Sequence, residues 1–256
     1  MAIPGARRRG TQRAMHIGLY VAPGSPLAAA AGLTMRRLAE ELGATCVAIL
    51  DDAQTATPSL SCSGVIVLGA FAFDATESSN AGGPGGAEAD QPLRAVVAFA
   101  RAGGPVLGIG AGFQILCSLG LLPGRVSPGA STDPGAPALA AACHLRVEGR
   151  PTPFTSAIPA GRVMRLLSSA APVSARYETD QAEALEARGQ VIFRYCDAAG
   201  GATAGAAMVA RGGPTTTTGG RSIAGVCDAA GGVVGLLADP GDDGHQLLRS
   251  LRMHLR

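Results

Sequence analysis

At 256 residues the chain can bury a substantial core, and 47% apolar against 16% charged residues excludes a disordered binding arm. The net charge is only +2, and no basic patch marks the body of the chain, so nucleic acid is not an expected partner although all 21 basic residues are arginine. No apolar run approaches the roughly 18 residues that a spanning helix needs, so no membrane partner is expected either.

Residues 1–15 carry Arg7, Arg8, Arg9 and Arg13 with no acid. That has the flavour of an organelle transit peptide but lacks the apolar stretch of a secretory signal. It is read as a disordered or mis-assigned N-terminal extension, with Met15 as an alternative start. Residues 16–22 form an apolar run ending at Pro23-Gly24, a first strand. Residues 26–42 place Leu27, Leu33, Leu38 and Leu42 opposite Glu40 and Glu41, which predicts a helix closed by Gly43. The short continuous apolar runs 47–50 and 64–69 suit buried parallel strands.

Residues 92–102 read as the next helix and 106–109 as the strand after it. This strand turns through Gly108, Gly110 and Gly112 into a helix that continues Ile115, Leu116 and Cys117. A sharp strand-to-helix turn of this kind is the shape of a nucleophile elbow, which lifts one side chain above a sheet. The raised position here is Gly110, which has no side chain. Further strands are predicted over 143–147, 162–167, 191–195, 223–226 and 233–237, with a last helix over 242–254. Three low-complexity stretches, 75–90, 127–137 and 212–220, read as surface loops. Strand–helix alternation gives an α/β protein with a parallel sheet covered on both faces.

Cys46, Cys62, Cys117, Cys143, Cys196 and Cys227 show no metal-ligand or disulfide spacing. Reduced thiols in a cytoplasmic protein, with no metal and no cofactor, are the expectation. Cys117, about two helical turns past the elbow, reads as a small buried apolar residue. His245 is the histidine nearest in sequence to Asp239 among His16, His144, His245 and His254, and is expected on the surface of the last helix. Asp239 alone could serve as a base for water.

Residues 107–124 carry a resemblance. Gly108-Ile109-Gly110-Ala111-Gly112-Phe113-Gln114-Ile115-Leu116-Cys117 and Gly120-Leu121-Leu122-Pro123-Gly124 resemble G-I-C-N-G-F-Q-I-L-C-x-x-G-L-L-P-G of the glutaminase subunit of phosphoribosylformylglycinamidine synthase, a class I glutamine amidotransferase family. Leu145-Arg146-Val147-Glu148, Thr152-Pro153-Phe154-Thr155, Phe193-Arg194-Tyr195, Ile223-Ala224-Gly225-Val226-Cys227 and Gly235-Leu236-Leu237 resemble further blocks in the same order. The resemblance implies a single domain over 16–256 with a three-layer class I glutamine amidotransferase-like fold, its central mostly parallel sheet having helices on both faces.

It also implies where catalytic residues would fall. The nucleophilic Cys of the family matches Gly110. Its closing G-M-M-P-H-P-E-R matches Gly235-Leu236-Leu237-Ala238-Asp239-Pro240-Gly241-Asp242, so its His falls on Asp239 and its Glu on Gly241. A thiolate needs an imidazole to take its proton and a carboxylate to orient that imidazole. The loop Gly69-Ala70-Phe71, with Ala111 beside the elbow, resembles the oxyanion-binding part. A further family segment, A-H-G-E-G, falls loosely on residues 169–173 and has lost its His and Glu. The expectation is a catalytically degenerate glutaminase-like subunit. Its implied partner is a synthetase subunit of the phosphoribosylformylglycinamidine synthase type or a homologue, with a small accessory subunit as a further partner. The alternatives are an altered enzyme that uses the vacated pocket through Asp239 or a partner residue, and a stand-alone ligand-binding or regulatory paralogue.

Overall fold

Strands covered on both faces need apolar side chains at every position, and the short apolar runs of this sequence meet that need by lying side by side. The structure, a computed structural model, describes residues 14–22, 26–48, 62–69, 91–128, 142–168, 173–177, 179–202, 222–241 and 243–255. Its elements begin with β1 (Met15–Val21), α1 (Pro26–Glu41), β2 (Ala44–Ala48), β3 (Gly64–Gly69), α2 (Gln91–Arg101), β4 (Val106–Gly110) and α3 (Ala111–Ser118). There follow β5 (Arg125–Pro128), β6 (Ala142–Val147), β7 (Val163–Leu167), β8 (Val173–Arg176) and α4 (Thr179–Ala187). The last are β9 (Val191–Cys196), β10 (Ile223–Cys227), β11 (Val233–Leu236) and α5 (His245–His254).

One nine-stranded sheet runs in the order β2-β1-β3-β4-β11-β10-β9-β6-β7. The pairs from β2 across to β11 are parallel, and those from β11 across to β7 are antiparallel. The parallel arrangement expected from the sequence therefore holds for the half that carries the elbow. The other half reverses direction because β10 and β11 are joined by a tight turn. There the Asp228 carboxylate accepts from the Ala230 and Val233 amides at 3.2 and 2.9 Å.

Helices lie on both faces. On one, α1 passes over Leu19 and Leu68, and Leu251 of α5 fills the space above Gly64. On the other, α3 lies over Val67, Gly108 and Gly235. Within α1 the buried stripe is Met35, Leu38 and Ala39, the spacing of one helical face. Leu33 is off that stripe and 69% exposed, so its expected place on the apolar side is corrected.

Most expected elements are found within a residue or two of their expected ends. Met15, assigned to the N-terminal extension, instead opens β1 and pairs with Ala44. Two features escaped the sequence reading. One is the two-stranded sheet of β5 and β8, whose first strand takes Ser127 and Pro128 from a stretch expected to be loop. The other is α4, which buries only Ala182 and Leu185, too little apolar periodicity to register. Residues 75–90 and 212–220, and the rest of 127–137, lie outside the described residues.

The tightest backbone approach is that of α3 to β3. A Cβ at Gly112 would lie 1.9 Å from the Val67 carbonyl oxygen. Gly112→Ala is expected to cost about 3 kcal/mol or more, because backbone and not a flexible side chain would have to move. At Gly149 an added Cβ meets nothing within 4 Å. Gly149→Ala is expected to change stability by less than about 0.5 kcal/mol. Urea unfolding of the two variants checks the contrast, and equal effects would contradict the wedge.

Candidate functional site

The turn from β4 into α3 is made at Gly110, with φ 57° and ψ −120°. An L side chain rarely adopts that conformation, and elsewhere such strain persists where function requires it. In register, Gly110 pairs with Gly69 at the end of β3, and Ile109 pairs with Leu236 at the end of β11. The C-terminal ends of three parallel strands therefore converge on the elbow, the place where open α/β sheets build their sites. Phe113, fully buried in α3, packs its ring where a Cβ of Gly235 would come within 2.3 Å. That contact fixes the helix against β11.

Asp239 follows β11 by three residues and is brought over the elbow. Its backbone exchanges hydrogen bonds with Leu167 of β7, donating at 2.8 Å and accepting at 3.1 Å. Among the described residues, a Cβ built on Gly110 would have a single neighbour within 4 Å beyond its chain neighbours, the Asp239 Oδ1 at 3.4 Å. Among the described residues no hydrogen bond or ion pair reaches the Asp239 carboxylate. Burial alone pushes its pKa up to about 6.

Gly241 goes elsewhere. It lies against β7, where a Cβ would come within 2.9 Å of Leu166 backbone atoms. A longer side chain there would require the strand to shift. The nearby Asp243 is occupied: its carboxylate accepts from the Arg165 amide at 2.7 Å and from Gln246 at 2.5 Å.

Of the residues singled out from sequence, Gly69, Gly110, Ala111 and Asp239 are gathered at the elbow, and Gly241 is turned onto β7. Ala70 and Phe71 lie outside the described residues. Cys117 is well down α3; its Sγ donates to the Pro123 carbonyl at 3.6 Å, and burial pushes its thiol up to about 12, so it carries no nucleophilic character at neutral pH. His245 is the first residue of α5 and is partly buried. No group of three or more His, Cys, Asp or Glu is placed to hold a metal ion among the described residues.

One residue was missed. Tyr195 of β9 is essentially fully buried, and its hydroxyl has no hydrogen-bond partner among the described residues. Burial is the main cause that raises its pKa, with Cys143 and Asp239 adding to the rise. A tyrosine in an apolar strand was the available signal, since a buried phenol normally finds a partner.

An α/β sheet with a sharp glycine elbow at the ends of parallel strands defines the class, and the sequence relationships define the family. The chain belongs to the CobB/CobQ-like glutamine amidotransferase domain family, whose model matches residues 33–251. It is 39% identical over 171 residues to the phosphoribosylformylglycinamidine synthase subunit PurQ of Thermomicrobium roseum, covering 62% of this chain and 66% of that protein. It is 36% identical over 174 residues to the same subunit of Nitrobacter winogradskyi, covering 64% and 69%. The first match spans just under two thirds of that relative. A chain of the PurLQS structure of Thermotoga maritima superposes with a TM-score of 0.65 at 22% identity, over 95% of this chain and 100% of that one. The glutaminase domain of Trypanosoma brucei CTPS gives 0.53 at 10% identity, over 94% of each chain. These likenesses place the fold among class I glutamine amidotransferases.

Asp239 makes a stability prediction. Its carboxyl titrates near 3.8 when unfolded and at about 6 when folded. Between those values the folded chain holds the extra proton, so its contribution to stability is greatest below the lower value and is lost as pH rises through the upper one. Asp239→Asn is expected to stabilise the chain near neutral pH by at most roughly 3 kcal/mol, less whatever water relieves, and to do little below about pH 4. Thermal unfolding across that range checks it. An Asn variant no more stable than the native chain near neutral pH would contradict the burial argument.

Proposed function

We propose that this chain is a catalytically degenerate glutaminase-like subunit that acts as a non-catalytic partner of a purine-type synthetase. The observation that carries the reading is the elbow itself. The position that would raise a nucleophile is Gly110, and the side chain facing it is a carboxylate 3.4 Å from where a Cβ would sit. Chemistry of the thiol–imidazole–carboxylate kind needs a nucleophile to deprotonate, and Gly110 offers none. Backbone donors around Gly69 and Ala111 would stabilise an oxyanion only if something created one.

The partner follows from the relatives. The curated relatives are named as PurQ subunits of phosphoribosylformylglycinamidine synthase, and one structural neighbour comes from a PurLQS structure. A synthetase subunit of that type is therefore the partner we assign, with a small accessory subunit as a further component. On this reading residues 15–256 act as one domain that opens with Met15 in β1, and the chain works in the cytoplasm.

A specific observation supports one competing reading. Asp239 at about 6 is in the range of a general base near neutral pH. An altered enzyme would use it, or a residue of the partner, to activate water in the vacated space.

Glutamate release from glutamine separates the two readings, with the chain alone and then mixed with a synthetase subunit. The expected result is no release in either case, together with a stable complex by size exclusion. Release that Asp239→Asn abolishes would overturn the proposal in favour of the altered enzyme. Gly110→Cys alone should not create activity, because no imidazole faces the new thiol. Adding Glu at 241 to Cys at 110 and His at 239 should not rescue it either, since the clash with β7 would displace the added carboxylate.

A further inference from the structure

The sheet ends at β2, and that edge lacks the usual guards. Among the described residues β2 pairs with β1 alone, in parallel. A strand with one neighbour turns about half of its backbone N–H and C=O groups outward, where they template a further strand. Folded proteins blunt such an edge with a charge, a proline or a bulge. Ala44-Thr45-Cys46-Val47-Ala48 holds no charge and no proline, and its register with β1 is unbroken over all five residues. Val47 lies beside Gly18, which gives it no side chain to pack on, and it is 48% exposed.

Helix α1 leads into this edge. The turn between them is tight, with Gly43 at φ 68° and its amide donating to the Glu40 carbonyl, so the end of α1 runs back alongside β2. Met35, Leu38 and Ala39 face the sheet. On one flank of that stripe Ala29, Leu33, Arg36 and Glu40 recur at intervals of four, three and four, and all four are exposed. This is the spacing of a seam that meets another helix. The opposite flank faces α5, where Arg252 donates to the Leu42 carbonyl. The seam therefore looks toward the β2 edge. Burial raises the pKa of the Cys46 thiol at the centre of β2, and the two charges that also act on it are those of Arg36 and Glu40.

We propose that this edge is a self-association surface, with β2 pairing antiparallel to β2 of a second copy of the chain about a two-fold axis near Cys46. Thr45 then lies opposite Val47 of the second copy and Ala44 opposite Ala48, so the strand pair buries no charge. The same axis sets the two α1 helices antiparallel on one face of the extended sheet, with Arg36 of each toward Glu40 of the other. A second copy is thus matched in charge along this seam, where a uniformly acidic or basic partner is not. The elbow lies three strands away at β4 and stays free, so the inference goes beyond the partnership proposed above and does not rest on it.

Sedimentation velocity of the full chain over a wide concentration range tests it, and a reversible monomer–dimer equilibrium is expected. Val47→Lys places at the edge the kind of charge that guards exposed strands, and should weaken the dimer by roughly 10-fold or more. Arg36→Glu should weaken it by about 2- to 10-fold by setting acid against acid. Arg36→Glu combined with Glu40→Arg should restore the native affinity, because the pair is exchanged as a whole. Both positions are exposed, so Tm of the variants is expected to hold; if Val47→Lys lowers it, the Arg36 and Glu40 exchange alone decides. A chain that stays monomeric throughout, a dimer that none of the substitutions weakens, or a double variant no tighter than Arg36→Glu would overturn the proposal.

Discussion

The contact between Gly112 and the Val67 carbonyl is the constraint on which the site depends. With 1.9 Å between that oxygen and any Cβ, helix α3 can begin where it does only if the residue is glycine. Once the first turn is wedged on β3, the chain leaving β4 must turn sharply, and Gly110 takes a backbone conformation that few other residues adopt. The same placement drives Phe113 onto Gly235 and so ties α3 to β11. The strand end that delivers Asp239 is therefore set by the packing of a helix against β3, two strand positions away.

Gly110 changes the energetics of that turn. A side-chain-bearing residue held in a rare backbone region costs on the order of 1–3 kcal/mol, and a protein carries that strain when the raised side chain is useful. Glycine adopts the same conformation at little steric cost. With glycine at 110 the elbow holds its course without a side chain and without that strain. On the reading proposed above, a scaffold needs the course alone, so the shape of the elbow and a glycine at its apex are compatible.

Much of this was legible in the sequence. The strands of the parallel half read as unbroken apolar runs, and 64–69 matches β3 from end to end because a doubly covered strand tolerates few polar interruptions. Gly110 as the raised residue was legible because glycines at alternate positions after an apolar strand have few other uses. The departures have physical causes. Leu33 looked apolar by composition, yet the helix turned it to solvent. The hairpin that reverses β10 and β11 depends on Asp228 bonding to local amides, and the β5–β8 pair on a long-range partnership. Tyr195 was hidden because its isolation is a property of three-dimensional packing and not of its neighbours in the chain.

Gly241 shows how closely the backbone that carries Asp239 is held. The segment carrying Asp239 is clasped by the edge strand β7 through paired backbone bonds at Leu167, and that clasp presses Gly241 onto Leu166. The segment can be held this closely because residue 241 has no side chain, and a side chain there would push the strand away. The glycine at 241 and the position of Asp239 are thus mechanically linked. Drawing the segment onto β7 leaves the Asp239 carboxylate over the elbow with no hydrogen-bonding partner among the described residues. Its burial raises the cost of its charge, which a bound proton lowers.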